Sequence, residues 1–266
     1  MRRFLVCSGV HGRIESLVWL HKAVRERRPD GVLFAGGVLD RERTYAPTST
    51  TCWGHTKSDT LFLQKFFSSL GGLGVFTAVI PGAIDAPLDL FLRLGMNAEI
   101  EYPRLHIVHA IPIEQGDVAV VGLGASITDY TSTDIGYYSR SLADYYLRSL
   151  WTTSKPRTVL LLPEPPQSWR GEVEDRRLAY ALMATYHPGV CVLGRSREKR
   201  GVERIADTLV INPGHLSDGS AAWLDWDRPA CEQVEFLDLQ GMGTPRHSLA
   251  LGDGEGHLRA GQAVGV

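Results

Sequence analysis

Short apolar runs recur along the chain, and most of them end in a turn of glycine or proline. Phe4-Leu5-Val6-Cys7 leads into Ser8-Gly9-Val10-His11-Gly12, and Gly31-Val32-Leu33-Phe34-Ala35 leads into Gly36-Gly37. Val75 to Ile80 leads into Pro81-Gly82. Between these runs, Ile14 to Val24 and Thr60 to Leu70 carry apolar residues at helical spacing, and Leu88 to Leu94 continues that pattern. Strands alternating with helices predict right-handed βαβ units and a parallel sheet. In such a sheet, ligands gather at the carboxyl ends of the strands, so the loop at 8–13 marks the address of any site.

From the middle of the chain the pattern becomes richer in strands. His106 to Ala110, Val118 to Gly122, Thr158 to Leu162, Val190 to Leu193 and Thr208 to Ile211 read as strands, with helices over Ser139 to Leu150 and Asp175 to Tyr186. Tyr145 and Tyr146 read as packing residues. Ala221 to Asp225 and Glu232 to Leu237 read as a final antiparallel pair. Beyond Gly241 no periodic apolar pattern survives, so the reading is one domain over 1–240 and a flexible tail over 241–266. The polar stretch from Glu42 to Asp59 is long for a connection, which suggests a lid or a disordered segment. It holds Cys52 and His55, a lone pair of metal-type residues with no second pair near it.

Composition narrows the class. The 266 residues are 44% hydrophobic and 22% charged, with a formal net charge of -2 and a sequence pI of about 6.5. That balance gives no nucleic-acid footprint and no polybasic membrane patch. Cys7, Cys52, Cys191 and Cys231 are scattered, which fits free thiols in a reducing compartment better than a disulfide framework. The amino terminus runs straight into a strand, and no apolar run approaches membrane-spanning length. The expectation is a cytoplasmic, soluble protein.

Four features in order carry a resemblance. They are the order and spacing of the strand-end loops, the Val-His-Gly turn at 10–12, the turn Pro81-Gly82-Ala83-Ile84-Asp85-Ala86-Pro87, and Asn212-Pro213-Gly214 followed by Asp218-Gly219. Together, from about Arg3 to Asp225, they resemble the calcineurin-like metallophosphoesterases. The resemblance implies a two-sheet β-sandwich flanked by helices on both sides, a four-layer αββα arrangement. It also implies hydrolysis of phosphoesters by two divalent metals such as Mn, Fe or Zn, which clamp the phosphate and activate water.

Compared loop by loop with that family, the ligand positions have changed. The aspartate of the first loop falls on Gly9, while His11 stands. The bridging aspartate of the second falls on Gly37, while Asp40 stands. The asparagine and histidine of the third fall on Ala83 and Ile84, leaving Asp85. The histidine of the fourth falls on Pro163, beside Glu164, and the two histidines of the fifth become Arg195 and Arg197. Glycine supplies no donor side chain and arginine keeps its proton, so the family's metal pair has no ordinary ligand set here. A remnant on His11, Asp40 and Glu164 is the one-metal alternative. No cofactor and no catalytic residue is expected.

The exchange removes carboxylates and adds guanidinium groups, which suit phosphate or carboxylate recognition. One reading is therefore a metal-free anion pocket over His11, Arg195 and Arg197, with Glu164, Asp40 and Asp85 nearby, taking a phosphate-containing small ligand. The plainer reading is a plug, in which the arginines pair with Asp40, Asp85 or Glu164 and fill the vacated cavity. Asp85 is also read as a loop-fixing hydrogen-bond acceptor, Glu164 as a potential acid or base, Asn212 and Gly214 as turn residues and His215 as exposed. Three functions follow: a binding or scaffolding protein on a phosphoesterase fold, with a small ligand or a protein partner; a phosphoesterase with atypical metal ligation; or a Rossmann-like nucleotide binder using Gly9-Val10-His11-Gly12 as its phosphate turn.

Overall fold

The computed structural model describes residues 2–40, 57–82, 85, 88–124, 126–128, 137–151, 157–163, 180–194, 200–227, 231–241 and 247–251. Strands β1 (Arg2–Cys7), β2 (Gly31–Ala35), β3 (Phe76–Ile80) and β4 (Leu105–Ile107) run parallel in one sheet. They are linked by helices α1 (Leu17–Arg27), α2 (Lys57–Gly71) and α3 (Leu88–Glu101). On the other side of β1, strands β13 (Ser220–Asp227), β14 (Cys231–Asp238) and β15 (His247–Leu251) continue the sheet antiparallel, giving seven strands in the order β15-β14-β13-β1-β2-β3-β4.

The second sheet has six strands. Its parallel centre is β6 (Val118–Gly122), β9 (Arg157–Leu162), β10 (Val190–Leu193) and β12 (Thr208–Asn212). The antiparallel strands β5 (Ile113–Gln115) and β11 (Gly201–Ile205) form its edges. Helix α4 (Arg140–Leu147) and a helical segment over 180–186 cover its outer face, and β7 (Ser126–Thr128) pairs with β8 (Tyr137–Ser139) in a separate ribbon.

Why the two sheets stack is visible in the alternation of β1. Phe4 and Val6 join the core between the sheets, while Leu5 and Cys7 face the helices of the first sheet. The second sheet does the same, with Val159 and Leu161 turned inward and Leu160 and Leu162 turned towards α4 and 180–186. Strands buried on both faces read as unbroken apolar runs, which is why the central ones were legible. Three apolar layers thus separate four layers of secondary structure, the expected αββα sandwich.

Two expectations change. The Rossmann-like reading fails on topology, because β1 has the antiparallel β13 as one neighbour and a second sheet packs against it face to face. The stretch from 241 onwards also contains β15, which pairs with β14 from Phe236↔His247 to Glu232↔Leu251. The edge strands β5 and β11 carry mixed polar and apolar residues with no buried face, so periodicity gave no sign of them. Among the described residues, no helix is long and apolar enough to cross a membrane.

Candidate functional site

Strands β1, β2 and β3 end side by side, and their loops are stitched into one unit. The amides of Gly9, His11 and Gly12 donate to the carbonyls of Gly36, Gly37 and Val38 at 2.8, 2.9 and 2.9 Å. From the other side, the amides of Leu216 and Ser217 donate to the carbonyls of Ser8 and Gly9 at 2.7 and 2.9 Å, and Ser8 Oγ donates to the Gly214 carbonyl at 3.0 Å. The late Asn212-Pro213-Gly214 turn is thereby sewn to the first loop across more than 200 residues of chain.

Asp85 fixes this unit from beneath. Its side chain is 1% exposed, and its carboxylate accepts from the amides of Gly37, Val38, Leu39 and Gly82 at 2.7 to 3.0 Å. Burial pushes this carboxyl above the usual carboxylate range, and the four amides oppose that shift. The loop-fixing role expected for Asp85 is what its geometry delivers, and both carboxylate oxygens are engaged by the backbone.

Above the stitched loops sit two imidazoles. The rings of His11 and His215 lie with centroids 4.3 Å apart at 57°. His215 is 4% exposed, which corrects its reading as an exposed residue. The turn following β12 carries it back over Gly9, a placement that depends on pairing with a loop far away in sequence. His11 takes a left-handed backbone, φ 46°, between the left-handed Gly9 and Gly12.

The two glycines that stand at carboxylate positions in the family comparison are closely packed. A Cβ on Gly9 would lie 2.8 Å from both His11 Nε2 and His215 Cδ2. A Cβ on Gly37 would lie 3.1 Å from His11 Cε1 and from the Gly9 Cα. Both residues have positive φ, 69° and 78°. The space that side chains at 9 and 37 would occupy is thus taken by the imidazoles and by backbone.

Of the other site candidates, Asp40 is exposed at the end of the second loop, where a Cβ on Gly12 would lie 2.9 Å from its own Cβ. Pro163 and Gly194 end β9 and β10 at the same edge, but Glu164, Arg195, Arg197, Ala83 and Ile84 fall outside the described residues, as do Cys52 and His55. The sequence reading passed over His109. Its Nδ1 accepts from the Gly124 amide at 2.9 Å, tying the chain after β4 to the end of β6, and burial lowers its pKa to about 4.

A two-metal centre is not matched by these residues. Gly9 and Gly37 offer no donor, Asp85 is committed to amides, and no group of three His, Cys, Asp or Glu among the described residues is placed to hold an ion. Asn212 Oδ1 accepts from the Gly214 amide at 3.1 Å, in keeping with its reading as a turn residue.

Comparison with known proteins gives a consistent picture. A family model of metallophosphoesterases of the calcineurin superfamily matches residues 1–236. One crystal structure is 25% identical, with a TM-score of 0.74, covering 90% of this chain and 99% of its own. The crystal structure of TT1561 of Thermus thermophilus is 21% identical, with a TM-score of 0.68, covering 94% and 98%. No curated protein matches the chain.

Proposed function

Because the chain belongs to the calcineurin superfamily of metallophosphoesterases, we propose that it is a member whose strand-end pocket works without the metal pair, as a binding or scaffolding site. The observation that carries this reading is the pair His11 and His215, whose rings fill the space of side chains at positions 9 and 37. A carboxylate at either position is what a bridged pair of hard cations would need, and glycine cannot supply it. The ligand class that suits the substitutions at Arg195 and Arg197 is an anion, a phosphate-containing small molecule above all. The buried free thiols of Cys7 and Cys191, held protonated by burial, support a reducing, cytoplasmic location.

The test is metal content after purification, together with phosphodiesterase turnover in manganese. The expected result is substoichiometric metal and no turnover above that of a His11→Ala variant. Stoichiometric metal with turnover lost in His11→Ala would establish the competing reading, a phosphoesterase with atypical ligation. Calorimetry with inorganic phosphate addresses the anion pocket: binding that is lost in the Arg195→Ala, Arg197→Ala double variant is expected, and unchanged affinity removes the pocket.

A further inference from the structure

We propose that Arg200 is an anion-binding group of the strand-end pocket, a guanidinium held with one edge open for two oxygens of a phosphate monoester. Arg200 immediately precedes β11, and Gly201 at the start of that strand pairs with Asn212 at the end of β12. The residue therefore stands at the carboxyl end of the second sheet's parallel strands, the end at which His11 and His215 lie. A Cβ on Gly214, the neighbour of His215, would lie 3.3 Å from the Arg200 Cδ. Arg200 Nη1 donates to Ser220 Oγ, and the Ser220 amide donates to the His215 carbonyl at 3.0 Å.

Arg2, Arg3, Arg27, Arg140 and Arg157 each face a carboxylate of their own chain. The contacts of Arg200 are neutral. Its Nη1 reaches Ser220 Oγ at 3.4 Å and the Leu237 carbonyl at 3.3 Å, and its Cζ lies 5.4 Å from the centre of the Phe236 ring. The residue is half-buried, where a cation gains most from an opposite charge. Strands β13 and β14 thus hold the guanidinium by one nitrogen and one face, and among the described residues no acceptor meets its Nε or Nη2.

Nε–H and Nη2–H point the same way and form the fork that a carboxylate or phosphate engages with two oxygens. Arg3 uses this very edge on Asp225, with Nε at 2.7 Å and Nη2 at 3.4 Å from the two carboxylate oxygens. In Arg200 the edge is left for a ligand. A phosphate monoester suits it better than a carboxylate, because it brings close to two negative charges at neutral pH to a cation with no acidic partner. The inference rests on the reading of this end as a metal-free binding site, and adds Arg200 to the anion pocket over Arg195 and Arg197.

Calorimetry of the full chain with phenyl phosphate tests this. Arg200→Ala and Arg200→Lys are both expected to weaken binding about tenfold or more, the second because lysine keeps the charge and the stem over Phe236 but loses the fork. A readout in the unmutated chain is independent of any effect on folding. The Nε–H resonance of Arg200, assigned by its absence from the Arg200→Lys spectrum, is expected to shift as phenyl phosphate is added and to move less with acetate. A resonance that does not move, or an affinity unchanged in Arg200→Lys, overturns the proposal, and an equal response to acetate overturns the choice of phosphate. Affinity lost in the Arg195→Ala, Arg197→Ala variant but unchanged in both Arg200 variants leaves the pocket standing and removes Arg200 from it. Affinity lost in the Arg200 variants alone keeps Arg200 and removes the other two arginines. No binding by the unmutated chain overturns the fork, while the metal-free reading is judged separately by metal content.

Discussion

The two ends of the sandwich solve the same problem differently. Both must close the gap between sheets where strands stop. At the amino ends of the parallel strands the solution is charge: Asp117 of the second sheet pairs with Arg2 of the first at 2.7 Å and with Arg157 beside it. Asp30 and Asp227 stand 4.0 Å from Arg2 and Arg157, and the Arg157 guanidinium lies 5.9 Å from the centroid of the Trp226 ring. At the carboxyl ends the solution is backbone: one buried carboxylate, four amides, and loops sewn carbonyl to amide. The end that carries the family's chemistry is the one whose geometry depends on amide positions, which tolerate little movement. The other end is held by side chains partly open to water, so it can adjust.

The largest effect expected from breaking that contrast is at Asp85. Asp85→Ala leaves four buried amides without their acceptor, and a loss of about 3–5 kcal/mol is expected by urea unfolding. That loss should persist in high salt. Next comes Gly9→Ala, which strains a left-handed backbone and drives a methyl group into two imidazoles, at about 2 kcal/mol. Adding His215→Ala should recover about 1 kcal/mol of it, a coupling that a double-mutant cycle reads directly. If the two changes simply add, the imidazole does not fill that space.

Smaller is Asp117→Asn at the opposite end, about 1 kcal/mol, since the aspartate side chain is 35% exposed and water screens the pair. Raising salt should shrink this difference, in contrast to Asp85→Ala. The last effect, the smallest at neutral pH, is confined to acid. In the unfolded chain His109 protonates near its ordinary value of 6.5, but in the fold it resists until about pH 4. Unfolding therefore takes up a proton in that window, and stability falls as pH drops through it, the loss being complete below about pH 4. His109→Gln should flatten that part of the pH–stability curve while leaving neutral stability nearly unchanged.

How much of this was legible in the sequence depended on the range of the interactions involved. The run Phe4 to Cys7 announces a strand because both of its faces are buried, and Val159 to Leu162 does the same in the second sheet. Asp85 as a loop fixer was legible because a carboxylate in a Pro-Gly turn after a strand has nearby amides to accept from. His215 was not, because its burial is created by the contacts of Leu216 and Ser217 with Ser8 and Gly9, which no local pattern encodes. The arginine plug, expected from charge, rests on Arg195, Arg197 and Glu164, which lie outside the described residues, while among the described residues the imidazoles of His11 and His215 crowd the space beside Gly9. Edge strands such as β11 were missed because their polar residues imitate a loop.

The close packing at Gly9 also restricts the order in which this chain can change. An aspartate at position 9 cannot enter while both rings hold their places, since its first side-chain carbon already lies 2.8 Å from each. Position 215 or the rotamer at 11 must give way first, and position 37 faces the same ring. Restoring the carboxylates is therefore not a pair of independent point changes. It is a sequence of steps in which the earliest must empty a space, at a cost in packing, before any step can put a ligand there.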